Sequence, residues 1–315
     1  MSYAKIQQQH AVAWKLQTPT LPEAARTAAP YVDKDGNADG PAYAYCLPSG
    51  FADHNLLPEV RNDALALFAE LGIPWHAGTP AGPSNHLLSS QVQCVNALGQ
   101  MVKDPARIQR AFGVGEVLEI EPGRFLTFEY IGPTDFFGEA PKGARIRGAH
   151  CTSVDAAFLH RLEDGRTELV LVEWKFTESY RRRRPDPHRD AVRRQRYFDA
   201  VMDLEGPIDG SLLPFERLLD EPLYQLVRQQ LLAHALERSG VADVVRVVHV
   251  LSRDNRAYQT SLHRQEQRVL GSTVDEVWQR LLRHPTRFAH LDSDVFLDPE
   301  VTSAEYCARY STPAV

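Results

Sequence analysis

The sequence predicts an α/β fold of the mixed α+β kind, a central mixed sheet flanked by helices. Three observations carry that expectation. The 315 residues are 43% hydrophobic and 24% charged, the ordinary globular mix, and enough chain to bury a core without staples. Apolar runs rich in β-branched and aromatic residues cluster mid-chain, with helical patterns on either side. The order is helix, strand, hairpin, helices, strand, which does not alternate as a doubly wound parallel sheet requires.

Residues 1–45 are rich in Ala, Pro, Gln and Asp with weak periodicity, and read as a loosely ordered arm. The pattern sharpens at Leu56. Pro58 suits a first helical turn, Glu59 favours its positive end, and Gly72 suits the C-cap. Leu65, Phe68 and Leu71 give that helix an apolar stripe. Pro and Gly residues mark 74–84 as a loop. A second helix is expected from about Asn85, with Leu87, Cys94, Leu98 and Met101 on one stripe. Gln91 falls on the same stripe, either as a core amide with satisfied hydrogen bonds or facing a site.

Strand patterns follow at Arg124–Ile131, Ser153–Leu162 and Glu168–Phe176, with Asp164-Gly165 as a hairpin signal between the last two. Helices are expected over Asp190–Asp203 and Glu221–Arg238, a buried strand over Val244–Leu251, and a helix over 275–283. Residues 46–300 would then form one decorated domain, and 301–315 a loose tail.

The net charge is −6, so no global basic surface exists, yet 29 of the 35 basic residues are Arg. That excess echoes a GC-rich genome or suits phosphate contact. Cys46, Cys94, Cys151 and Cys307 form no C-x-x-C pair, which disfavours zinc ribbons and fits reduced thiols. No signal peptide and no apolar run of membrane-spanning length is visible, so a cytoplasmic protein without membrane contact is expected.

Chemistry concentrates on the strand Leu169-Val170-Leu171-Val172-Glu173-Trp174-Lys175. Alternation sends Glu173 and Lys175 to the face of Leu171, while Val172, Trp174 and Phe176 face the other way. An E-x-K at a strand end is commonly just a solvated pair. Asp155 on the preceding strand alters that reading. With a two-residue loop at Asp164-Gly165, Asp155 faces Trp174. With a three-residue loop, Glu163-Asp164-Gly165, it lies opposite Glu173, and Gly165 is placed for the αL residue of a G1 bulge. The second register is preferred. Two facing carboxylates repel, and a divalent cation relieves the repulsion. Hard oxygen ligands favour Mg²⁺ or Mn²⁺, with Lys175 placed to stabilise developing charge. The three residues make sense as a metal-dependent phosphodiesterase centre.

Asp155, seventeen intervening residues, then Glu173-Trp174-Lys175, each on an apolar strand, resembles the PD-(D/E)XK nuclease superfamily. SVDAAFLHRL and LVLVEWKFTESY are similar, more narrowly, to a family of bacterial restriction endonucleases; HNLLPEVRNDALALF, SSQVQCVNAL, FEYIGPTDFFGE and YQLVRQQLLAHAL belong to the same resemblance. It implies a restriction-endonuclease-like core, Asp155 and Glu173 as metal ligands, Lys175 as the catalytic lysine, and DNA (or RNA) as substrate. The superfamily's leading proline is Val154 here. Its first-helix glutamate is matched by Gln91, which carries no charge. Glu129 is a further candidate ligand, or an ordinary strand glutamate.

Tyr180–Tyr197 holds eight arginines. Arg181, Arg182, Arg183, Arg184, Arg193 and Arg194, with Gln195 and Tyr197, are candidates for nucleic-acid contact; a solvated basic loop is the plainer reading. Gln225, Arg228 and Gln229 share a helix face, and Arg228 is a candidate phosphate contact. No P-loop or nucleophile-elbow motif occurs. A binding module that holds nucleic acid without cutting it stays open, as does a glycosidase using two carboxylates. A homodimer is allowed.

Overall fold

The computed structural model describes residues 1–76, 78 and 82–311. The first element is a helix, α1 (Tyr3–Gln17). Next come α2 (Pro58–Leu71), with Pro58 in its first turn and Gly72 in the left-handed conformation at its C-cap, and α3 (Ser90–Leu98). Helix α4 (Pro105–Phe112) leads into β1 (Val117–Leu118) and β2 (Leu126–Tyr130). The hairpin β3 (Val154–Arg161) and β4 (Thr167–Trp174) follows. Helices α5 (Pro187–Met202) and α6 (Leu223–Arg238) precede β5 (Val244–Val250). The chain continues through α7 (Val274–Leu281), β6 (Phe288–Leu291) and α8 (Ala304–Tyr310).

The sheet is mixed. β1 and β2 both pair antiparallel with β3, β3 pairs antiparallel with β4, and β4–β5–β6 run parallel. The β3–β4 loop is the three-residue one: Ala156 pairs with Val172, and Leu162 N–H donates to the Arg166 carbonyl at 2.8 Å. Gly165 sits at φ 88°, where a side chain would strain the turn. Helices cover both faces. Ala156, Phe158, Val170, Val172 and Trp174 pack toward α2 and α3. Ala157, Leu169, Leu171 and Val247 pack toward α5, α6 and α7. With partners at both edges and helices over both faces, β4 is buried along nearly its whole length.

Three expectations need correction. The loosely ordered arm contains α1, whose Trp14 indole donates to Glu305 on α8 at 2.9 Å. The buried Lys15 ammonium donates to the carbonyls of Thr27, Ala44 and Cys46 at 2.6–3.0 Å, which ties the next thirty residues to the helix. The loose tail contains α8, held by the buried Arg309, which donates to the Asn55 carbonyl and lies 4.5 Å from the Trp14 ring centre. Asn85 does not start the second helix. Its side chain clasps two backbone segments, accepting from Val32 N–H and donating to the Pro30 and Leu47 carbonyls. The helix begins five residues later, after an N-cap at Ser89.

Candidate active site

Asp155, Glu173 and Lys175 meet at the end of β3 and β4. The hairpin register, continued one residue beyond Ala156–Val172, sets Asp155 across from Glu173. The β2 register sets Glu129 across from Asp155 on the other side, because Phe128 pairs with Ala156 and Tyr130 with Val154. Glu173 in turn pairs with His249 on β5. One level of the sheet thus carries Glu129, Asp155, Glu173 and His249 side by side.

Each carboxylate is held by specific donors. Asp155 Oδ2 accepts from the Trp174 backbone N–H at 2.6 Å, while the Trp174 indole turns away to Gln93 at 2.9 Å. The aspartate therefore lies against the strand edge beside Glu173, away from the indole. Glu173 is buried, and Oε1 accepts from the Lys175 ammonium and from Gln225 Nε2 at 2.6 Å. Its Oε2 accepts from Gln229 Nε2. Glu129 Oε1 accepts from Gln91 at 3.2 Å and Oε2 from the Ser153 hydroxyl at 2.9 Å. Its backbone has φ 47°, a conformation non-glycine residues seldom adopt.

The electrostatics follow from burial among like charges. Desolvation, then repulsion from Glu173, pushes Asp155 well above the ordinary aspartate range. Desolvation pushes Glu129 up to about 7 against the lowering pull of Ser153 and Gln91. Burial alone would lower Lys175, but the charge of Glu173, with Tyr180 and Asp155, holds it well above the ordinary lysine value. The ammonium stays charged.

A cation would fit the donor set here in one respect. Gln229 Oε1 is buried with no hydrogen-bond partner among the described residues, an oxygen that calls for a proton or a cation. Glu173, which the same Gln229 amide grips, supplies hard anionic oxygens beside it, with Asp155 on the facing strand position. No group of three or more His, Cys, Asp or Glu side chains among the described residues forms a ready-made cage.

The other sequence candidates divide. Gln91 sits in the first turn of α3 and reaches Glu129, and its Oε1 also accepts from His76 N–H at 2.7 Å. Arg181, Arg182 and Arg184 are exposed on the segment that follows β4. Arg183 is engaged with Asp190 at 2.7 Å and Asp220 at 3.6 Å. Arg193 lies 4.2 Å from the Tyr224 ring centre, and Arg194 pairs with Glu216. Gln195 is exposed. Tyr197 corrects an expectation: it is 1% exposed and donates to the buried Glu139, so it cannot touch a nucleic acid directly. Arg228 Nε donates to Thr152 at 3.0 Å and stands 3.6 Å from Glu139, at the lip of a cleft of about 340 Å³ lined also by His150, Ser153, Gln225 and Gln229.

Gln225 and Gln229 share a helix face by spacing alone, which gives them no role until the fold places Glu173 beneath them. Their i, i+4 spacing on α6 is what lets both amides grip one carboxylate from above.

The mixed sheet with these three residues at one end defines a restriction-endonuclease-like protein. The family described as "restriction endonuclease associating with ARP" matches residues 8–311, and the chain belongs to it. No curated protein matches the chain, and no solved structure does. No helix among the described residues is long and apolar enough to cross a membrane.

Proposed function

We propose that the chain is a metal-dependent nuclease that hydrolyses DNA phosphodiester bonds, an endonuclease of the restriction or defence type. The observation that carries this reading is the convergence of Asp155, Glu173 and Lys175 at one sheet end, beside an arginine-rich segment. Asp155 and Glu173 would hold Mg²⁺ or Mn²⁺, with Glu129 as a further ligand. An ion held there would supply Lewis-acid polarisation of the phosphodiester and a lowered pKa for a bound water. The chain's own groups do the rest. The Trp174 amide aims Asp155, and Gln225 and Gln229 fix the Glu173 carboxylate. The Lys175 ammonium stabilises negative charge building on the phosphoryl oxygens and orients the attacking water. Arg181, Arg182 and Arg184 supply backbone contact.

The test is incubation with circular and linear DNA, and with RNA, in Mg²⁺ or EDTA. Expected are linearised circles in Mg²⁺, none in EDTA, and no product from Asp155→Asn or Lys175→Met variants that still fold. Cleavage surviving both substitutions refutes the assignment. A second reading, a silent nucleic-acid-binding module, is favoured by one observation: both Glu173 oxygens are already occupied by donors from the chain itself. Binding without product in any metal would establish it.

A further inference from the structure

A second concavity, of about 540 Å³, lies on the other side of Gln91 from the carboxylates. Small-ligand sites commonly have this size, ~300–1,000 Å³. Its floor is aromatic. Tyr43 and Tyr45 stack with ring centres 5.1 Å apart, and His86 meets the Tyr45 ring edge-on at 4.9 Å. Ser84, Ser89 and Ser90 rim it, and the residues after Lys175, Thr177 and Glu178, close one side.

The lining selects against phosphate. Among the described residues no Lys or Arg lines it, and Glu178 brings a carboxylate. Burial lowers His86 to about 4, so the imidazole is neutral at physiological pH. Neutral π-faces with hydroxyl and amide edges suit a planar heterocycle: the faces stack, and Ser and Gln groups meet its polar edge. The groove adjoins the cleft beside the candidate active site, since His76 lines both. His76 and the Gln91 amide line it, and both are tied to the carboxylate cluster through the His76–Gln91–Glu129 hydrogen bonds. Gln91 thus stands between the groove and Glu129, so a strand whose phosphate is held at the carboxylates would pass the groove's edge, and only an unpaired base could enter it.

We propose that the Tyr43–Tyr45–His86 groove is a nucleobase-stacking site that receives an unpaired base next to the phosphate being cleaved. This deepens the nuclease reading and rests on it. It makes single-stranded or locally unpaired nucleic acid the preferred substrate.

The experiment uses the full chain and two readouts. Fluorescence of single-stranded DNA carrying 2-aminopurine, titrated in EDTA, reports stacking. Cleavage rates in Mg²⁺ on a duplex, and on the same duplex with a short unpaired bubble, report preference. Expected are quenching on binding and faster cutting of the bubble. Tyr45→Ala, and Tyr43→Ala separately, should lower single-strand affinity about tenfold and reduce the bubble-to-duplex ratio as much. Tyr45→Phe, which keeps the ring, should restore both, and thermal unfolding shows whether each variant is folded. Cleavage without quenching, or a ratio unmoved in folded alanine variants, overturns the proposal. Quenching lost on Tyr45→Ala with no product from any substrate would sink the nuclease reading and leave the base site assigned.

Discussion

Replacing Glu129 with glutamine should stabilise the protein, and by an amount that depends on pH. Glu129 is buried, its backbone is in the left-handed region, and desolvation raises it from the ordinary 4.5 to about 7. A carboxyl whose folded pKa is raised holds its proton in the folded state after losing it in the unfolded one. Stability therefore falls as pH climbs from about 4.5, and the penalty is complete above 7. At about 1.36 kcal/mol per pKa unit, the full penalty is about 3 kcal/mol. Glutamine keeps the shape and the Gln91 contact but has no charge to desolvate. The gain should be about 1 kcal/mol at pH 5 and about 3 kcal/mol at pH 8. Urea unfolding of both proteins at the two pH values, without metal, measures it. A pH-independent difference, or a variant less stable at pH 8, would show that this carboxylate is ionised at no penalty and would refute the reasoning.

Other outcomes follow from the same geometry. Lys175→Met leaves the buried Glu173 without its cation and should cost about 3–5 kcal/mol in urea unfolding, most of it recovered by adding Glu173→Gln. Both variants should also lack cleavage. Changing Arg181, Arg182 and Arg184 together to Ser should flatten the slope of log affinity for duplex DNA against log salt by about 2.7, at ~0.9 per phosphate contact; an unchanged slope removes them from the interface. Asp275 accepts from His249 at 3.4 Å, His290 at 2.8 Å and Gln259. Burial alone would raise it, but these partners hold it well below the usual carboxylate range. That stability is present above the unfolded pKa and is lost as pH falls toward the folded one. Asp275→Asn should thus lose about 1–3 kcal/mol at pH 7, with most of that loss still present at pH 3 and fading only at lower pH, as thermal unfolding would register.

What could be read from the sequence was local. The hairpin register rested on where Gly165 can sit, and a glycine in the left-handed region is a backbone requirement the residue type reveals. Facing positions on paired strands then followed by counting. Elements stabilised by distant partners were not visible. Helix α1 lacks a sharp apolar stripe, and its hold comes from Trp14 on Glu305 and Arg309, nearly three hundred residues away. Strand β6 is four residues long and is ordered by pairing with β5. Tyr197 resembled a surface group because it stands among arginines, yet helical geometry turns it inward to a carboxylate from another loop. The aromatic groove gathers residues from 31 to 178, and no spacing in the chain announces such an assembly.

The strand that bears Glu173 has neighbours along both edges and a layer of helices above and below. Its amides can exchange with solvent only when most of the molecule opens, so they should be among the last to take up deuterium. The same enclosure works as a safeguard. Asp155, Glu173 and Lys175 share one hairpin, but the burial that sets their charges exists only once the helices are packed over both faces.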